Sequence, residues 1–581
     1  MSFYKSAERN VQMLVYLLKE HGIRKVIASP GTTNINFVAS VQFDDYFEVY
    51  SAVDERSAAY MACGMAAETG EPVVITCTGA TASRNYVPGL TEAFYRKLPV
   101  LAVTATQHIG RIGQNIPQVI DRRNQMNDLV KYSLQLPMIR DEEDEWAYGV
   151  KINEALLELR HRGGGPVHIN LETKYGRDFS VKEIKPVKVI RRYVKPETFP
   201  ELNAKRVAVY VGAHAAWTDE LTKAVDDFCE TYNAAVYVDH SSNYAGKYRF
   251  FFSLLTDQRA CDVPELDVDL MIDIGNVSGA YGYPHAKAVW RVNPDGVIRD
   301  TIRLLTNVFE TDELTFFTTY NKKKKSVNAV PAYHAECMSA RQRFEEKIGP
   351  LPFSNIWIAQ QTAGRLPENS VLHLGILNSL RSWNFFATPK SVANFVNTGG
   401  FGIDGCMSSL IGASLGAPQK LFFGVFGDLA FFYDLNSMGN HHLGCNVRIM
   451  LINNGRGTEF RNYSHLASDF GDDADAFMSA AGHFGNQSPE LIRHYAQDLG
   501  FEYMSASNKE EYRQHMERFL TSELTDKPML FEVFTNSTEE SQALYIINHL
   551  VKSKKVKTKQ MIKKMIGQKG IRIVKQVLRK G

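Results

Sequence analysis

Asp428, Asn453 and Asn454 are the residues of this 581-residue chain whose types and spacing point most directly to chemistry. Asp428 follows an apolar run at residues 421–426, and the two asparagines follow a second run at residues 447–452. Both runs read as buried parallel strands, with residues 429–440 free to form a helix between them. Asp428 and Asn454 lie 26 positions apart. A carboxylate and an amide oxygen at neighbouring strand ends, joined by a backbone carbonyl, make a hard-oxygen set suited to Mg²⁺, an ion that shares phosphate oxygens with a bound cofactor. Parallel sheets hold ligands beyond the carboxyl ends of their strands, where these residues fall.

Three further groups could take part. Glu55 stands where a strand at residues 47–53 runs through Asp54-Glu55-Arg56 into a small-residue helix at residues 57–68. Taken alone, an acid in a helix's first turn is placed well for the macrodipole. The glycine-rich stretch 397–409, NTGGFGIDGCMSS, allows close backbone approach to a ligand before a helix begins. Gln107, His108, Gln114 and Asn115 follow an apolar strand at residues 98–104. His108 has the side chain to relay a proton, although a solvated loop histidine is an equally good reading.

The elements that must position these groups alternate between strand and helix. Residues 1–180 show short strands at 26–29, 47–53, 73–76, 98–104 and 167–171, which is doubly wound α/β patterning. A Lys-, Val- and Pro-rich linker covers 181–200. A second α/β region has strands at 207–211, 235–238 and 270–274, and a third spans about 350–545. The length demands more than one core. Seven cysteines without a CxxC pair argue for reduced, cytoplasmic thiols rather than a disulfide framework. The N-terminus reads as an amphipathic helix, and no apolar run is long enough to span a bilayer. Net charge is +2, yet residues 551–581 hold 12 Lys or Arg and no acid, so the preceding residues net −10.

The pairing of Gly427-Asp428 with Asn453-Asn454 resembles the diphosphate-binding motif of the thiamine-diphosphate (ThDP) decarboxylase and carboligase family. The resemblance implies an α/β fold of three doubly wound parallel-sheet domains in series; the basic helical tail at 551–581 lies beyond it and is read from its own residues. Residues 1–182 would bind the pyrimidine, 190–340 would form a central domain, and 350–545 would bind the diphosphate. Asp428, Asn454 and the carbonyl of Arg456 would hold Mg²⁺. Pro30, Gly31, Thr78, Gly79, Asn378, Ser379, Gly402, Ile403, Gly427 and Leu429 would contact the cofactor, with Ile403 beneath its thiazolium. Glu55 would hydrogen-bond the pyrimidine and favour the tautomer that removes the thiazolium C2 proton, a task suited to a carboxyl of raised pKa in a dry pocket. His108 would act beside it, and Thr32, Gln114, Asn115 and Arg381 would meet substrate. A homodimer or homotetramer is implied, and no sequence feature requires a flavin in the central domain.

Within that family, Asn378-Ser379-Leu380-Arg381, GIDG at 402–405 and Leu429 after Gly-Asp are similar to MenD-type synthases. Departures fall on the substrate side. MenD-type chains carry Ser-Arg after the first Pro-Gly, where this chain has Thr32-Thr33, and Arg-Gly before GIDG, where it has Thr398-Gly399. The arginine that follows Asn-Ser is displaced, with Trp383 near its place. Loss of bidentate carboxylate clamps weakens binding of a di- or tricarboxylate. The expected activity is therefore decarboxylation of a 2-oxo acid and transfer of the carbanion equivalent to an acceptor, with altered pockets. A simple decarboxylase and an inactive ThDP-fold binding subunit are the alternatives. In the tail, apolar pairs recur at helical spacing among lysines, which suits the anionic inner face of a membrane as well as a solvated tail. It lacks the aromatic residues that single-stranded nucleic acid would need.

Overall fold

The structure, a computed structural model, describes residues 4–215, 217–323, 332–482 and 488–551. The basic segment at 552–581, with its expected membrane contact, lies outside the described residues.

Strands form where the short β-branched and aliphatic runs stand, and every strand pairing among the described residues is parallel apart from one isolated bridge, Lys5 to Val181. The first sheet contains β1 (Lys25–Ala28), β2 (Glu48–Ser51), β3 (Val73–Cys77), β4 (Val100–Thr106), β5 (Tyr132–Leu136) and β6 (Val167–Glu172), in the order β2-β1-β3-β4-β6-β5. β3, β4 and β6 are buried along their whole length, as expected for strands covered by helices on both faces. The helix Arg9–Glu20 covers one face. It buries Val11, Leu14, Val15 and Leu18, the i, i+3, i+4, i+7 pattern of an amphipathic helix.

By mutual contact the chain falls into two compact units. Among the described residues, one lies within 4–194 with 295–310, and the other within 195–294 with 311–551. In the first unit, β7 (Arg191–Tyr193) also pairs with β13 (Leu305–Phe309). The second unit holds β8 (Val207–Val211), β9 (Ala234–Val238), β10 (Arg249–Phe251), β11 (Asp267–Ile274) and β12 (His285–Val292), ordered β10-β9-β8-β11-β12.

It also holds the sheet that matters most for the site. This contains β14 (Val371–Leu374), β15 (Ala393–Val396), β16 (Phe422–Gly427), β17 (Val447–Asn453), β18 (Glu502–Ala506) and β19 (Met529–Phe534). Its order, β15-β14-β16-β17-β19-β18, repeats strand for strand the order of the first sheet. In both, the chain reverses direction across the sheet beside the first strand, and such switch points open the crevice in which open α/β sheets bind ligands.

One expected element is shorter. The helix expected over 429–440 ends after Asp428–Tyr433 and gives way to a 3₁₀ turn, Leu435–Gly439. Asp434 accepts hydrogen bonds from Ser408 N and Oγ, at the start of the helix Cys406–Gly416, and sits between the two pieces. A tertiary partner thus overrides local helix propensity.

Candidate active site

In the first unit, two loops at the carboxyl ends of β1 and β3 are stitched into one knot. Thr33 Oγ1 and Thr78 Oγ1 lie 2.7 Å apart, and Gly79 N donates to Thr33 Oγ1 at 3.1 Å. A Cβ on Gly31 would fall 2.3 Å from Thr78 Cβ, so only glycine permits this approach. Pro30, Gly31, Thr78 and Gly79 are therefore brought together, and Pro30 and Gly31 line a cavity of about 460 Å³ with Ser29, Asn34 and Ser51. Ala80 holds φ 56°, ψ −129°, a strained conformation for a residue with a side chain.

Glu55 is the first residue of the helix Glu55–Thr69. Asp54 caps that helix by accepting from Arg56 N and Ser57 N. Division of labour follows: the cap is Asp54, which leaves the Glu55 carboxylate for other work. Glu55 is half-buried and accepts from Asn85 Nδ2 at 3.2 Å. His108 is exposed on the loop after β4, where its Nδ1 accepts from Gly110 N at 3.0 Å. Thr32, Gln114 and Asn115 are exposed, and Asn115 has φ 56°.

The second unit gathers the other half of the expected residues around one cavity of about 260 Å³. Asn378, Ser379, Ile403, Gly427, Asp428, Leu429, Asn454 and Arg456 all line it. Gly402 adjoins it in sequence, and a Cβ there would meet Asp404 Oδ1 at 2.4 Å. Asp428 is the first residue after β16 and is buried. Its Oδ1 accepts from Leu429 N at 2.8 Å and its Oδ2 from Gly455 N at 2.6 Å. Burial pushes the Asp428 carboxyl up to about 6, opposed by the N–H groups of Leu429, Gly455, Asn454 and Arg456.

The donor set fits a metal-held diphosphate. Asn454 Oδ1 is buried without a hydrogen-bond partner, and a buried amide oxygen in that state is costly unless something else binds it. Beside it stands a carboxylate that burial deprives of solvent. A divalent cation answers both deficits with the oxygen chemistry Mg²⁺ prefers. Among the described residues no three His, Cys, Asp or Glu side chains converge on a metal position, so the set is one carboxylate and one amide rather than a cluster of anionic or imidazole ligands.

Arg381 is held by groups of the protein itself. It makes two hydrogen bonds to Glu459, and its guanidinium lies 4.4 Å from the Tyr281 ring centroid. Burial works against its charge, yet Glu459 holds its pKa above the usual value. Arg456 directs its guanidinium to Asp475 at 2.7 Å, which leaves its backbone carbonyl as the group available to a metal. Trp383 is fully buried and donates to Asn355 Oδ1 at 3.2 Å, while Thr398 is 3% exposed.

Asn355, Leu377, Phe401, Thr458, Glu459 and Phe460 also line the cavity and were not legible in the sequence. Asn355 comes from the helix Asn355–Thr362, outside every motif, and its Nδ2 donates to Ser379 Oγ at 3.1 Å. Leu377 holds φ 65°, ψ −119°, and no glycine marked that position. Behind the cavity Glu540 is buried and accepts from Asn355 N at 2.9 Å and from Thr535 Oγ1 at 2.8 Å; burial pushes it up to about 7.

Residues 9–126 match the family model described as thiamine pyrophosphate enzyme, N-terminal TPP binding domain. The 2-succinyl-5-enolpyruvyl-6-hydroxy-3-cyclohexene-1-carboxylate synthase of Phocaeicola vulgatus is 31% identical over 94% of this chain and 99% of its own length. Its namesakes from Bacteroides thetaiotaomicron and Bacteroides fragilis are 30% and 29% identical, each over 94% of this chain and 100% of their own length. Nearly end-to-end similarity to these synthases places the chain in the 2-succinyl-5-enolpyruvyl-6-hydroxy-3-cyclohexene-1-carboxylate synthase family of thiamine-diphosphate enzymes.

Proposed function

We propose that this chain is a Mg²⁺-dependent ThDP carboligase that decarboxylates a 2-oxo acid and joins the resulting carbanion equivalent to an acceptor other than that of its named relatives. The bound cofactor supplies a carbon nucleophile and an electron sink. This chain's residues bind and orient it: Asp428, Asn454 and the Arg456 carbonyl hold the metal, and Glu55 holds the pyrimidine. Residues 1–182, 190–340 and 350–545 act as pyrimidine, central and diphosphate domains. The working enzyme is a cytoplasmic homodimer or homotetramer, and its partners are small molecules.

One observation carries the metal assignment, namely the unsatisfied Asn454 Oδ1 beside buried Asp428. The altered pocket rests on what occupies the positions where MenD-type chains place arginines. Thr33 is 1% exposed with its hydroxyl bound to Thr78, Trp383 is packed in the core, and Thr398 is buried. None offers a cation to a substrate carboxylate, and Arg381 is already engaged by Glu459.

Incubation of the full chain with ThDP, Mg²⁺ and a panel of 2-oxo acids, with and without aldehyde or enoate acceptors, tests the reading. Carbon dioxide release with a coupled product only when acceptor is present supports it. Release with the same protonated aldehyde in every case identifies a simple decarboxylase. Tight ThDP binding without release from any donor identifies a binding subunit.

A further inference from the structure

Beneath the Thr78–Ala80 turn of the first unit lies a second, small cavity lined by Ser83, Arg84, Arg122, Gln125 and His168. Arg122 projects into it and is 2% exposed. Its Nη2 donates to Ala105 O at 2.9 Å, whereas Nε and Nη1 are buried without any hydrogen-bond partner. No carboxylate lines the cavity. The acid closest in sequence, Asp121, is taken up by Arg123 through two hydrogen bonds of 3.0 and 2.7 Å. The other charged lining group is Arg84, of the same sign, which donates to Asp121 O at 3.2 Å.

His168 does not balance this charge. Its Nε2 lies 2.7 Å from Thr104 Oγ1 and its Nδ1 2.9 Å from Ser133 Oγ. Burial, reinforced by Arg122 and Arg84, lowers its pKa to about 3, so the ring is neutral. A guanidinium stays protonated at neutral pH, and a buried charge without a counter-ion is strongly unfavourable. The cavity measures about 10 Å³, room for one atom-sized occupant. A water of that size satisfies a donor but neutralises nothing, and a carboxylate or phosphate is too large.

We propose that this cavity is a binding site for a monatomic halide, chloride in the cell, held by Arg122 Nε and Nη1 with Arg84 and Gln125 at its margin. The ion compensates the buried guanidinium and fixes the floor of the turn that carries Thr78 and Gly79. A Cβ on Gly79 would already stand 3.9 Å from Arg122 Nη2, so the two are neighbours.

Thermal unfolding of the full chain, loaded with ThDP and magnesium gluconate, tests this in sodium chloride or sodium bromide against sodium gluconate at one ionic strength. The expected result is a saturable rise in the midpoint with either halide that disappears in Arg122→Met. Identical midpoints in chloride and gluconate overturn the proposal, as does a halide response that persists in Arg122→Met. Should that variant fail to fold, anomalous diffraction from wild-type crystals grown in bromide decides. A bromine peak in contact with Arg122 Nε or Nη1 supports the site; an ordered cavity holding water only overturns it.

Discussion

Arg381 and Glu459 meet through two parallel hydrogen bonds, Nη1 to Oε2 at 2.6 Å and Nη2 to Oε1 at 2.7 Å, with neither side chain more than 17% exposed. Fork-to-fork pairing of this kind fixes both partners. It ties Arg381 to Glu459, which itself lines the cavity of the second unit. Arg381→Ala strands Glu459 and is expected to cost about 3 kcal/mol of unfolding free energy. Arg381→Met combined with Glu459→Leu should recover most of that loss, which a double-mutant cycle in urea measures. If Arg381→Ala unfolds at the wild-type midpoint, the pair is not structural.

Glu55→Gln keeps the helix start, because Asp54 does the capping. It should leave ThDP affinity within a few fold while slowing turnover by about 10²–10⁴. Calorimetric titration with ThDP, run beside a carbon dioxide release assay, separates the two effects. Unimpaired turnover removes Glu55 from the mechanism.

Asn454→Ala deletes the orphaned oxygen, and Asp428→Asn deletes the charge. Both should abolish the Mg²⁺ dependence of ThDP binding, with Asp428→Asn the more severe because it removes the anionic ligand. Chelation of wild-type protein should release ThDP as the variants do. Affinity measured with and without EDTA reports this directly.

Glu540 predicts a pH dependence. Its folded pKa, pushed by burial from the ordinary 4.5 to about 7, is raised, so its proton stabilises the fold. That contribution is fully present below about 4.5 and is lost as pH rises through 7. The loss is about 3 kcal/mol at alkaline pH. Glu540→Gln should match wild type at pH 4 and exceed it in unfolding free energy at pH 8. Parallel curves across that window would show that Glu540 does not titrate there.

Gly31→Ala should collide with Thr78 Cβ and loosen the Pro30 loop, at a cost of about 2 kcal/mol. Replacing Thr78 by Gly in the same protein removes the obstacle and should restore part of the midpoint. Absence of any rescue would place the strain elsewhere.

Local pattern determined much of this protein. The sequence run at 207–211 is strand β8 with those same bounds, and the other expected strands differ by a few residues at their ends. A buried parallel strand is a short apolar run between turn residues, so its location is written locally. Asp428, Leu429 and Asn454 were legible for the same reason, since each is fixed by the end of a readable strand and all three line one cavity.

Tertiary structure alone decided the pairings. Arg381 and Glu459 are 78 positions apart, and Asn355 meets Glu540 across 185. Asp434 stops a helix because Ser408 faces it, and Arg122 is buried without a counter-charge because the chain folds Arg84 and His168 around it. Periodicity reports which face of an element is apolar. It carries no record of which distant side chain will stand opposite, and the charge, burial and unsatisfied hydrogen bonds of a site are set by that opposite group.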